Sequence, residues 1–95
     1  MEELVDARLR LLLAKAIEGI RILPECVQEE IMLDGTPCKL TTYHETLEGD
    51  EHRLIVQAIR PRWGGLINAA IAKGHIVSAA GVRRELTVEE LYDYT

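Results

Sequence analysis

Two cysteines and two histidines lie between residues 26 and 52, and their spacing limits the chemistry that they can carry. Cys26, Cys38, His44 and His52 are separated by eleven, five and seven residues. A structural zinc site usually contains at least one closely spaced Cys or His pair, because such a pair brings two ligands to one metal. This chain has no such pair, so the sequence predicts no metal site.

Nucleophilic catalysis needs a thiol or hydroxyl held against an oriented base. Cys38 and His44 point to the same side of a predicted strand, but six residues of strand separate them by roughly 20 Å. Ser78 is the only serine and lies outside a G-x-S-x-G sequence. The common glycine-rich nucleotide motifs are also missing. We therefore predict no catalytic residue and no cofactor, and keep an enzyme of unknown class only as a second alternative.

Charge is divided unevenly along the chain. Residues 22–52 contain eight acids and one base, a net of −7, whereas residues 53–84 contain six bases and no acid. The overall charge of −5 hides this contrast. The two halves are able to pair within one chain or between two chains, and the sequence leaves both possibilities open.

The basic half contains a candidate anion site. Arg60, Arg62, Gly64 and Gly65 directly precede a predicted helix, where free backbone N–H groups favour anions. Together with three further cations, these residues form the candidate contact to phosphate or nucleic acid: Arg60, Arg62, Gly64, Gly65, Lys73, Arg83 and Arg84. The alternative is a structural strand-to-helix turn, because no phosphate-binding motif fixes the geometry.

The N-terminal segment predicts an amphipathic helix over residues 2–18, with Gly19 as its stop. One apolar stripe recurs at spacings of three and four: Val5, Leu9, Leu12, Leu13, Ala16 and Ile20. Leu4 and Leu11 lie off this stripe, one above the other. They are either scattered surface leucines or a second apolar seam for self-association, and we take them as the candidate self-association residues.

An antiparallel meander is predicted for the middle of the chain. Alternation and the Asp34-Gly35 turn favour a strand over residues 28–33, although a short helix over residues 24–33 remains open. Residues 38–44 form the next strand, and residues 52–60 form a central strand that is apolar on both faces. Pro61 is expected to end that strand.

Two further helices are predicted in the second half. Helical spacing of apolar residues begins at Trp63 and is closed by Gly74. Residues 75–79 and 82–86 suggest a further hairpin. Thr87 and Glu90 form a capping box, with Leu86 and Leu91 as its hydrophobic staple, before a short helix over residues 88–94.

The resulting expectation is a single α+β domain over residues 1–95. It has an N-terminal amphipathic helix, an antiparallel sheet of three to five strands, a middle helix and a short C-terminal helix. Two cysteines make a poor disulfide framework, and we find neither a signal sequence nor a membrane segment, so we expect a cytoplasmic protein. The favoured function is a non-enzymatic accessory or regulatory protein, acting as a homodimer and through an unknown protein partner. Nucleic-acid binding through residues 53–84 is the first alternative.

Overall fold

The protein folds around a five-stranded antiparallel sheet whose strands lie side by side in chain order. The computed structural model describes residues 1–62 and 67–94. The strands are β1 (Cys26–Leu33), β2 (Thr36–Thr46), β3 (His52–Arg62), β4 (Ile67–Val77) and β5 (Arg83–Glu85). Helices α1 (Glu2–Leu13) and α2 (Ile17–Arg21) precede the sheet, and short 3₁₀ turns lie at Glu48–Asp50 and Tyr92–Tyr94. The predicted α+β class and antiparallel sheet are confirmed.

The N-terminal helix exists but is shorter than predicted. It ends at Leu13, and a second short helix takes up residues 17–21, so Gly19 lies inside α2 instead of ending the first helix. Four residues of the predicted apolar stripe are buried against the sheet, Val5, Leu9, Leu12 and Ile20, whereas Leu13 is half-buried and Ala16 is exposed. Burial of this stripe defines one face of the sheet as the helical face.

The hairpin between β1 and β2 follows the predicted turn chemistry. Asp34 and Gly35 both have positive φ, 51° and 77°, as a two-residue hairpin loop with the right-handed twist of its strands requires. The segment before this turn is therefore a strand and not a helix. The next strand, β3, is buried on both faces, since Leu54 and Val56 on the helical face and Ile55 on the opposite face have at most 1% exposure.

The predicted middle helix is wrong. Residues 67–77 form β4, which pairs with β3 along its whole length, while Trp63, Gly64, Gly65 and Leu66 lie outside the described residues. The apolar residues Ile67, Ala69, Ala70 and Ile71 fit a strand as well as a helix, and pairing with the central strand decides between them.

Pro61 does not end β3, which continues to Arg62. Pairing between β2 and β3 stops at Lys39 and Ile59. Pro61 has the same strand parity as Ile59, so its nitrogen points to the side where β2 no longer pairs. The missing N–H therefore costs no ladder hydrogen bond, and proline is tolerated.

The C-terminal segment packs on the face opposite the helices. The capping box forms as predicted, with the Thr87 N–H donating to Glu90 Oε1 (3.0 Å) and the Glu90 N–H donating to Thr87 Oγ1 (3.2 Å). Leu86 and Leu91 are buried in a second core with Ile55 and Ala72. The predicted final helix is reduced to turns and one 3₁₀ turn, and the predicted hairpin around Gly81 forms with β5 as its short second strand.

Candidate functional site

A continuous chain of hydrogen bonds runs through the interior at the end of the sheet where β2 turns into β3. His44 Nε2 lies 2.8 Å from His52 Nδ1, and both rings are buried. At one end, His44 Nδ1 lies 2.9 Å from the carbonyl oxygen of Leu23. At the other end, His52 Nε2 lies 2.9 Å from Asp50 Oδ1, and Asp50 also pairs with Arg21. We refer to these two rings as the histidine pair.

Local backbone geometry positions the Asp50 carboxylate at the end of this series of hydrogen bonds. Gly49 and Asp50 have φ values of 75° and 58°, which turn the chain sharply between β2 and β3. Asp50 thereby lies between His52 and the Arg21 guanidinium of α2. Hydrogen bonds from Arg21, and then from His52, lower the pKa of Asp50 to about 2. The carboxylate is therefore ionised at neutral pH.

Convergence of histidines with a carboxylate is the feature that we would expect of an enzyme, but the pair is used internally. Each of its four ring nitrogens is engaged with His44, His52, Asp50 or the Leu23 carbonyl. A general acid or base needs a nitrogen within reach of substrate, so an internal bond would have to break first. The described contacts thus favour a structural role for these two rings.

A groove of about 560 Å³ opens beside His44. Its lining includes two arginines, and each is paired with a carboxylate: Arg21 with Asp50, and Arg53 with Glu45. The floor of the groove is aromatic, because Tyr43 and Tyr94 meet edge to face at 5.1 Å between ring centroids. Both arginines that line the groove are therefore already paired with carboxylates.

The remaining histidine and both cysteines take no part in the hydrogen bonds of the histidine pair. His75 is on β4, its Nδ1 is buried without a hydrogen bond, and burial lowers its pKa. Cys26 is exposed and Cys38 is buried, both as free thiols. Within residues 1–62 and 67–94, no three Cys, His, Asp or Glu side chains are grouped as metal ligands.

Two of the four described cations of the candidate anion site are engaged with acids of the same chain. Lys73 Nζ lies 3.0 Å from Glu2 and 2.9 Å from Asp6, and Arg84 makes two hydrogen bonds to Glu90. Arg60 lies 3.4 Å from the Thr36 hydroxyl.

These cations also do not share one face of the sheet. By register, Arg60, Lys73 and Arg83 belong to the helical face and Arg84 to the opposite face. Gly64 and Gly65 lie outside the described residues, as does the side chain of Arg62. Nucleic-acid binding through residues 53–84 stays a prediction, and these ion pairs weigh against it.

The candidate seam on α1 is only half exposed. Leu4 packs against the main core, whereas Leu11 is 66% exposed. Self-association through these two leucines stays a prediction that rests on one exposed side chain.

An open sheet edge, which the sequence did not indicate, lies on β4. Strand β5 pairs only with His75, Ile76 and Val77, so the outer edge of Ile67–Lys73 has no neighbouring strand among the described residues. Gly74 directs its carbonyl outward, since it accepts a hydrogen bond from the Leu86 N–H. Because this direction alternates along a strand, the N–H and C=O of Ala70 and Ala72 also point outward.

The other edge of the sheet, on β1, differs in its chemistry. The His44 N–H donates to the Glu25 carbonyl, so the backbone groups of odd-numbered residues on β1 face β2. Those of the even-numbered residues Gln28 and Glu30 therefore point outward. Glu29 pairs with Arg8, which lowers the pKa of that carboxyl, and Glu30 is exposed. Charged residues at an edge oppose pairing with another strand. This edge is protected and the β4 edge is not.

No helix among the described residues has the length and apolar character needed to cross a membrane. No known protein family, characterised protein or solved structure matches the chain. Its function therefore has to be argued from its own geometry.

Proposed function

We propose that this protein is a non-enzymatic accessory protein that works through protein–protein contacts, and that its first contact is with a second copy of itself along the β4 edge. The observation that carries the proposal is the row of outward, unpaired backbone groups on Ile67–Lys73, next to small apolar residues. An exposed edge of this kind is a template for another strand.

The open stretch is self-complementary under a two-fold axis. Residues 67–73 are centred on Ala70, which is one of the outward-pointing residues. Antiparallel pairing about Ala70 places Ala70 opposite its own copy and Asn68 opposite Ala72. The two-fold axis produces the Asn68–Ala72 pair twice, and the resulting three pairs give about six backbone hydrogen bonds. In this register the described part of the partner strand ends at Ile67, opposite Lys73, one residue before β5 covers the edge at Gly74.

Charge places no obstacle in this register. Lys73 falls opposite Ile67 of the second copy, and no like charges face each other, in line with the pairing rules for sheets. The Lys73 ammonium is already held by Glu2 and Asp6. The dimer would be a continuous ten-stranded sheet with both sets of helices on one side.

The two-fold register is tested by a charge swap at Ala70. Ala70→Lys or Ala70→Asp alone places two like charges opposite each other, so each variant is expected at the 10.7 kDa mass of one chain by light scattering coupled to gel filtration. An equimolar mixture places opposite charges across the axis and is expected to return to twice that mass. At the same chain concentration the wild type should have the doubled mass.

Glu30→Lys is the matched control, because it changes an outward-pointing residue of the β1 edge and should leave the doubled mass unchanged. A wild type that stays at the mass of one chain at tens of micromolar would overturn the proposal. So would folded Ala70→Lys and Ala70→Asp chains that remain single when mixed.

A further inference from the structure

The histidine pair contains one more hydrogen bond than two neutral rings are able to supply with protons. The Leu23 carbonyl and the Asp50 carboxylate only accept hydrogen bonds. His44 Nδ1, at 2.9 Å from the former, and His52 Nε2, at 2.9 Å from the latter, must therefore each carry a hydrogen. Two neutral imidazoles hold two ring protons in total, and both are now assigned.

The contact between the rings needs a third proton. His44 Nε2 and His52 Nδ1 lie 2.8 Å apart, and without a hydrogen between them two lone pairs would face each other. We infer that the histidine pair holds three ring protons, as one imidazolium shared by both rings, and that this proton makes attachment of the α2–β1 segment to the sheet sensitive to pH. Asp50 accepts a hydrogen bond from this cation as well as from Arg21, and Glu18 lies near Arg21 as a second negative charge.

Charged groups also lie on the elements around the pair, beginning with Glu48 and Glu51 in the turn that holds Asp50. On α2, Arg21 binds Asp50 and has Glu18 nearby. On β4 and β5, the helical face carries His75, Arg83 and Glu85. The charged side chains of α1 with described partners are engaged elsewhere, Arg8 with Glu29 and both Glu2 and Asp6 with Lys73.

Loss of the shared proton would undo the contacts that hold the segment after α2. The lone pairs would then repel, and one ring would have to turn away from either the Leu23 carbonyl or Asp50. In the unfolded chain the two rings do not meet, so nothing retains a third proton on them above the ordinary titration range of histidine, near pH 6.5. Stability therefore falls as pH rises, by up to a tenfold increase in the unfolding constant per pH unit.

His75 contributes with the opposite sign and in a lower range. Burial lowers its pKa, so the unfolded state binds more protons there and stability rises with pH up to about 6.5. Measurements between pH 7 and 8 separate the two effects, and His75→Gln is the matched control that should keep the slope of the wild type.

The proton count is measured directly by ¹⁵N NMR of the imidazole rings in the full chain at pH 7. Three protonated nitrogens out of four on His44 and His52 are expected, whereas two unprotonated nitrogens would overturn the inference. At fixed chain concentration, the unfolding constant should rise with pH between 7 and 8 in the wild type, while His52→Asn, with a single ring left, should lose that slope. A wild-type slope equal to that of folded His52→Asn would also overturn it, and if His52→Asn does not fold, the proton count on the wild type still decides.

Discussion

The two long edges of the sheet are built from similar lengths of strand but differ in chemistry. β1 exposes eight residues with Gln28, Glu29 and Glu30 at its centre, whereas the open part of β4 spans seven residues centred on Ala70. Native proteins protect edges that must stay single with charge, bulges or covering segments. Protection at one edge and its absence at the other are the reason for proposing that a partner binds on the β4 side.

The short stretch of the β4 edge that β5 covers adds to this contrast. Strand β5 has only three residues and covers one end of β4. Its position is fixed by the C-terminal segment, through the pairing of Arg84 with Glu90 and the burial of Leu86. The protein thus closes part of this edge with its own chain and leaves a stretch that matches itself.

The largest effect is expected at the boundary between the covered and open parts of β4. A Cβ on Gly74 would lie 2.5 Å from the Leu54 carbonyl oxygen and 2.7 Å from Leu86 Cδ1. Gly74→Ala should therefore lower the free energy of unfolding by about 2–3 kcal/mol, as overpacking in a filled core does. Urea denaturation measures this loss.

Gly19→Ala is the control for that substitution. Its added Cβ meets Lys15 at an ordinary 3.5 Å within a helix, so stability should stay equal or rise by up to about 1 kcal/mol. Equal effects of the two substitutions would contradict the close approach at Gly74.

An intermediate effect is expected when the protected edge loses its charge. Glu30→Val removes the exposed carboxylate of β1, while Glu29 stays paired with Arg8, and this favours pairing between β1 strands. If the β4 edges already join two chains, such pairing links dimers into long open sheets, and light scattering should grow with concentration. If the wild type is instead a monomer, Glu30→Val would form only dimers.

Glu48→Val makes the same change at an exposed turn residue and serves as the control. It should leave the mass unchanged. Comparable assembly by both variants would show that lost charge in general, and not the β1 edge, controls association.

The smallest effect concerns the segment that holds β5. Arg84, and then the Thr87 backbone N–H, lower the pKa of Glu90 to about 2. A depressed folded pKa contributes stability above the unfolded value near 4.5, and that contribution is lost as pH falls toward 2. The thermal midpoint should therefore drop more between pH 6 and pH 3 in the wild type than in Glu90→Gln.

The neighbouring Glu89→Gln removes an exposed carboxyl in the same turn. Its acid sensitivity should resemble that of the wild type. A Glu90→Gln variant with undiminished acid sensitivity would show that the Arg84–Glu90 pair does not hold β5 against acid.

Local sequence signals predicted the parts of the fold that depend on neighbouring residues. The Asp34-Gly35 turn, the Thr87–Glu90 capping box and the stripe around Leu9 need only short-range chemistry, and the structure contains each of them. The middle helix failed because the apolar residues around Ala70 fit a helical and a strand period alike, and only pairing with β3 fixes their conformation.

The candidate site was harder to predict for the same reason. The sequence does not predict that His44 and His52 meet, because their contact depends on the β2–β3 register and on the left-handed turn at Gly49 and Asp50. An open edge on β4 is equally invisible in the sequence, since it follows from the shortness of β5.

Amide hydrogen exchange in the wild type compares the two edges most directly. The N–H groups of Ala70 and Ala72 point outward from β4, and those of Gln28 and Glu30 point outward from β1. Pairing through β4 predicts slow exchange at Ala70 and Ala72 that becomes fast on dilution, with fast exchange at Gln28 and Glu30 at every concentration. Equally fast exchange at all four amides at high concentration would contradict it.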